Sequence, residues 1–165
     1  MSTPIVSWEG KKVADPSYSD MLAGWSLGTV NVDLITPAIS DIWIMHVWNS
    51  QGNESKPSML GCSVITKTYP DLQDSVSGGD PASDDPVGGQ WMRVYSVGKH
   101  TGDYPEVYTP IGNNERCEIK SKIKSVSGWD IATNDYAEFY VWISMPITTA
   151  ANTYSLVTRV EYSFI

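Results

Sequence analysis

Residues 154–165 read Tyr-Ser-Leu-Val-Thr-Arg-Val-Glu-Tyr-Ser-Phe-Ile, and this run decides the fold class. Tyr154, Leu156, Val160, Tyr162 and Phe164 fall on one face, with Ser155, Arg159, Glu161 and Ser163 on the other. Side chains that alternate with period two belong to a β-strand with one buried face. Residues 137–145 repeat the pattern, with Ala137, Phe139, Val141, Ile143 and Met145 on one side. Both strands need partners from elsewhere in the chain, because buried backbone N–H and C=O groups must be hydrogen-bonded. A chain that still alternates at its last residues is expected to complete a sheet and carry no trailing tail.

Upstream of these two runs, turn signals divide the chain from Leu27 onward into eight strand-like stretches: 27–34, 42–49, 59–68, 90–97, 106–109, 116–126, 137–145 and 154–165. The Gly, Pro, Asn and Ser clusters at 36–37, 49–53, 98–102, 110–114, 127–128 and 145–146 separate them. No window of a dozen residues holds a helical apolar stripe, so the expected class is all-β. Residues 1–26 are irregular, with a possible short strand at 5–8, and read as an N-terminal arm before a domain spanning 27–165.

Eight antiparallel strands with alternating long and short connections suit an eight-stranded jelly-roll β-sandwich. One sheet would then run 27–34, 154–165, 59–68, 116–126, and the other 42–49, 137–145, 90–97, 106–109. Residues 42–49 are apolar on both faces, as in a central strand covered on both sides. Beside them, the second face of 137–145 carries Glu138, Tyr140 and Trp142. With Trp43 and Trp48, Tyr140 and Trp142 are candidates for an interface or a ligand platform. Such a face is expected to be covered, either by the segment around Trp8 and Trp25 or by another subunit. His46 reads as a satisfied structural histidine, since no nucleophile motif stands near it.

Residues 116–126 place Cys117, Ile119 and Ile123 on one face and Arg116, Glu118, Lys120, Lys122 and Lys124 on the other. Lysines on an edge strand prevent edge-to-edge pairing. A sharper reading makes Lys120, Lys122 and Lys124 a docking surface for the acidic loop of a neighbouring copy. That loop, residues 69–90, is rich in Gly, Pro, Ser and Asp. It reads as a solvated connection. Asp80, Asp84 and Asp85 are weak candidates for Ca²⁺ ligands, lacking the spacing and closing Glu of a dedicated calcium loop. No other cofactor is expected.

The 165 residues suffice for one domain with its own core. Seven Trp and nine Tyr against two Phe favour half-buried faces and interfaces. The net charge of −8 with eleven basic residues argues against a nucleic-acid partner. No apolar run is long enough for a membrane span, and the first residues do not read as a signal peptide. Without such a signal, Cys62 and Cys117 are expected to be reduced and buried. Paired-carboxylate, triad, phosphate-loop and zinc signatures are missing, so an enzyme is the least favoured class.

From residue 27 to 165 the chain resembles the single jelly-roll coat proteins of small icosahedral viruses. The strand pair 137–145 and 154–165 carries the resemblance, together with the Thr36-Pro37 break after the first strand. It implies a structural virion protein that self-associates into a shell or binds other virion proteins. Coats that package a genome usually carry a basic N-terminal arm, and here residues 1–27 hold only Lys11 and Lys12. A capsid or decoration subunit without direct nucleic-acid contact is therefore the expected form. The alternative is a lectin-like sandwich that stacks a glycan on exposed Trp and Tyr.

Overall fold

The computed structural model describes residues 2–21, 24–31, 35–68, 86–112, 115–147 and 156–165. Ten strands form, in chain order: β1 (Val6–Lys12), β2 (Ser19–Asp20), β3 (Ala38–Ile39), β4 (Trp43–Asn49), β5 (Leu60–Thr68), β6 (Met92–Ser96), β7 (Thr109–Ile111), β8 (Cys117–Glu118), β9 (Asp135–Met145) and β10 (Leu156–Ser163). Among the described residues there is no helix, and all strand pairs are antiparallel. A seven-stranded sheet runs β2-β1-β4-β9-β6-β7, with β3 joined to the end of β9. A three-stranded sheet runs β10-β5-β8.

Alternation sets these pairings. Met45, Val47, Val94, Ala137, Phe139 and Val141 point from the large sheet into one apolar cluster. Met59, Cys62, Val64, Cys117, Ile119 and Ile131 enter the same cluster from the other side. Removing each large side chain of this set from water stabilises the fold by about 1.5–3 kcal/mol. A one-residue slip of β4 against β9 would turn Met45 and Val47 away from the core that Ala137 and Phe139 face, so register is tightly specified. Where β4 gives way to β3, Ser40 keeps the ladder closed. Its backbone N–H donates to Ile143 O at 3.0 Å, and its hydroxyl accepts from Ile143 N at 2.9 Å.

The order expected for 42–49, 137–145 and 90–97 is found in β4-β9-β6, but the strand expected beside them at 106–109 forms instead at Thr109–Ile111, sharing only Thr109, with 106–108 outside it. The partners expected for 154–165, 59–68 and 116–126 are found in β10-β5-β8. Four further departures stand beside this agreement. Among the described residues the strands number ten, where eight were expected. Residues 27–31 form no strand, and the rest of the expected 27–34 strand lies outside the described residues. Among the described residues no strand pairs with the side of β10 away from β5.

The third departure is at the start of the chain. Val6–Lys12, expected in an arm with at most a short strand at 5–8, forms a seven-residue strand inside the large sheet between β2 and β4. Trp8 packs edge-on against Phe139 at 6.2 Å, on the core face. Gly10 lets β1 lie flush there, since a Cβ at that position would come within 2.5 Å of Met45 Sδ.

Last, the expected strand 116–126 stops at Glu118, and its continuation turns to the other sheet. Ser121 bridges to Ala137, and Lys122 N donates to Tyr136 O at 2.7 Å. The buried Asp135 carboxylate then accepts from Ile123 N at 3.2 Å and Lys124 N at 2.7 Å. That capture swings Ile123 out to 68% exposure, away from Cys117 and Ile119.

Candidate functional site

The chemistry-bearing side chains gather on the outer face of the large sheet. Register places Glu9 opposite His46 and His46 opposite Glu138, so three neighbouring strands present them side by side. His46 Nδ1 lies 2.8 Å from Glu9 Oε1, and its Nε2 lies 3.1 Å from Glu138 Oε2. Lys122 Nζ donates to Glu138 Oε1 at 2.9 Å. Carboxylates accept only, so both ring contacts are hydrogen bonds when the imidazole carries two N–H groups.

Aromatic rings enclose this line of charges. Tyr18 stacks on His46 at 4.2 Å, and Tyr136 lies at 4.1 Å with its plane tilted to the imidazole. Trp48 packs against Tyr136 at 4.6 Å. The hydrogen bond from His46 holds the Glu138 carboxyl at about 2, against the opposing effect of burial and with help from Lys122. Burial, reinforced by the Glu138 charge, pushes the Tyr18 hydroxyl up to about 12. The same two causes raise Tyr136 and Tyr140.

Further along β9, Tyr104 stacks on Tyr140 at 4.1 Å, and Tyr95 approaches Tyr140 edge-on at 5.9 Å. Tyr108 covers Trp142 edge-on at 5.8 Å, and the Arg93 guanidinium sits 5.2 Å from the Tyr108 ring centre. Trp142 is 1% exposed. The second face of β9 is thus covered, as expected, but by the chain's own residues 93–108 and Tyr18. Trp8 and Trp25 lie on the core face instead, against Phe139 and Trp43.

Two of the four aromatic candidates, Tyr140 and Trp48, share the outer face with the charge network and are half-buried. Trp142 is buried on that face, and Trp43 belongs to the core. The lysine candidates are engaged within the chain. Lys122 holds Glu138, Lys124 pairs with Glu54 at 3.2 Å, and Lys120 Nζ stands 5.6 Å from the Trp129 ring centre. They do not form a free basic stripe. Asp80, Asp84 and Asp85, with the Ca²⁺ site suggested for them, lie outside the described residues. Among the described residues no group of three or more His, Cys, Asp or Glu side chains could hold a metal ion.

The Glu9–His46–Glu138–Lys122 network was not legible in the sequence. Same-face parity of His46 and Glu138 on neighbouring strands was the available signal, and Glu9 sat in the segment read as an arm. His100 is half-buried, with Nε2 3.1 Å from Thr109 Oγ1. Burial, with Lys99 nearby, lowers its pKa. A catalytic base needs a ring nitrogen free to take a proton from a substrate. Both nitrogens of His46 are engaged, so the network acts as a strut that ties β1, β4, β9 and the 121–124 crossing together.

These features define an all-β protein of two antiparallel sheets on one core, with a closed aromatic and ionic outer face. No family model matches the chain, and neither a curated protein nor a solved structure matches it. No helix among the described residues is long and apolar enough to cross a membrane.

Proposed function

We propose that this chain is a structural subunit with a jelly-roll β-sandwich, of the capsid or decoration kind, that works in a virion by associating with further copies of itself or with other virion proteins. The carrying observation is strand order. The orders β4-β9-β6-β7 and β10-β5-β8 are in keeping with the two halves of a jelly roll less its first strand, with β2, β1 and β3 added to the larger sheet. The argument from fold to role is one of architectural analogy. The closed outer face is in keeping with a structural role, because its titratable groups are taken up by one another. The acidic balance of −8 favours a subunit that leaves nucleic acid to other components.

A glycan platform needs flat aromatic faces turned to solvent. Here Tyr104 lies over Tyr140, and Tyr18 over His46, so two faces a sugar would use are occupied. Light scattering on a sizing column, over a wide range of protein concentration, tests the reading. Assemblies larger than one chain are expected, growing with concentration. A protein that stays monomeric throughout would overturn it. If its tryptophan fluorescence also shifted with an oligosaccharide, the lectin reading would take its place.

A further inference from the structure

The two sheets have five edge strands among the described residues: β2, β3, β7, β8 and β10. Four are blunted against pairing. β2, β3 and β8 are two residues long, and β7 is three with Pro110 at its centre, which has no N–H to offer. β10 differs, with eight residues and no Pro, Lys or Gly. Its side toward β5 is paired from Leu156 to Ser163. Among the described residues no strand pairs with its other side. Its core-facing Leu156, Val160 and Tyr162 stay only partly buried, whereas Val64 and Cys62 on β5 are fully buried. Among the described strands this edge of the core has β5 on one side alone.

We propose that the open edge of β10 pairs antiparallel with β10 of a second copy, about a two-fold axis at Val160. The pattern of the strand is self-complementary about that residue. Arg159 and Glu161 flank Val160 with opposite charge. Centring the pair there sets each Arg159 opposite the other copy's Glu161, twice over, on the outer face. On the core face it sets Val160 against its own copy, Tyr162 against Thr158 and Phe164 against Leu156. Each apolar position meets a β-branched or apolar one, and no like charges face each other. Two three-stranded sheets then join into one of six strands across the axis. Such a contact is isologous and closes on itself, giving a dimer and not a fibre.

Within one chain Arg159 reaches Glu161 at 3.4 Å, and Arg116 reaches Glu161 at 3.3 Å. Arg159 and Arg116 are both about half exposed, so these pairs are worth little and do not close the edge. The inference names the surface for the self-association proposed above and rests on that reading.

The test uses the full chain as wild type, R159E, and the double variant R159E/E161R, compared by analytical ultracentrifugation and by hydrogen exchange. R159E turns both cross-axis pairs from opposite to like charge, so dimerisation should weaken about tenfold. The double variant restores opposite signs and should recover most of that loss. In the wild type, alternate β10 amides, those pointing away from β5, should exchange more slowly as concentration rises. Circular dichroism should be unchanged in both variants, since the substitutions lie on the exposed face. Weakening that the double variant does not repair would overturn the register. An assembly indifferent to R159E, with fast-exchanging outward amides, would overturn the edge contact and leave self-association standing. A wild type that is monomeric at every concentration would overturn both.

Discussion

Glu138→Gln should destabilise the protein by about 2–3 kcal/mol near pH 7 and by almost nothing near pH 2. Glutamine keeps the size of the side chain and removes its charge. The native carboxylate accepts from His46 at 3.1 Å and from Lys122 at 2.9 Å. A carboxamide has one accepting oxygen and one donating nitrogen, so one of those two donors would face another donor. The side chain is 16% exposed, which leaves little solvent to take over the lost contacts.

The magnitude follows from linkage. In the folded protein the carboxyl is held at about 2, down from an ordinary value of 4.5. At roughly 1.4 kcal/mol per unit, the folded state gains on the order of 3 kcal/mol from the ionised form. Because the folded value is depressed, this stabilisation is fully present above 4.5 and is lost as pH falls toward 2. Below that, wild type and variant both carry a neutral side chain. Urea unfolding measured in steps from about pH 2 to about pH 8 should show two curves that lie apart at neutral pH and converge in acid. The difference between the two proteins is the observable, so the acid sensitivity of other carboxylates cancels. A gap of equal size at both ends would refute the argument, because it would mean the loss is one of shape and not of charge.

Two other substitutions or treatments check the packing. Trp142→Ala should cost about 3–5 kcal/mol in the monomer's own unfolding, because the ring is enclosed within the chain by Tyr108 and its neighbours. An unchanged unfolding midpoint would return Trp142 to an intersubunit surface. Cys62 and Cys117 are free and buried, and burial pushes the Cys62 thiol up to about 12. Native protein should therefore react sluggishly with a thiol reagent, and denatured, unreduced protein should release two equivalents. Finding none after denaturation would mean the pair is oxidised.

The pairing partners of the longest strands were legible because period-two alternation survives wherever one face meets the core. β4 and β9 are the clearest instances, and their register follows from putting Met45, Val47, Ala137 and Phe139 on the same side. β1 failed that test for a physical reason. Its Val-Ser-Trp-Glu-Gly-Lys-Lys sequence carries one large core residue, and Gly10 fills its core position by having no side chain at all. A glycine that permits close approach looks, in one dimension, like a break. The charge network was hidden by the same omission, since Glu9 becomes His46's partner only once β1 is placed beside β4.

The segment after Glu118 shows the opposite failure, in which alternation persists but the strand does not. Arg116 to Lys124 keeps its period of two, yet the ladder with β5 ends at Glu118. While Trp129 and Ile131 hydrogen-bond the backbone of Cys62 and Met59 at the start of β5, Asp135 offers two carboxylate oxygens to the backbone N–H groups of Ile123 and Lys124 from a fully buried position. Side chains of this kind compete with the sheet for backbone donors, and a hydrogen bond to a charged group outweighs a neutral one. Diverting 121–124 toward β9 leaves β8 two residues long, which is what blunts that edge of the small sheet. Asp135 on one side and residues 129–131 on the other thus shorten β8, and β10, with its opposed Arg159 and Glu161, is the long edge of the small sheet among the described strands.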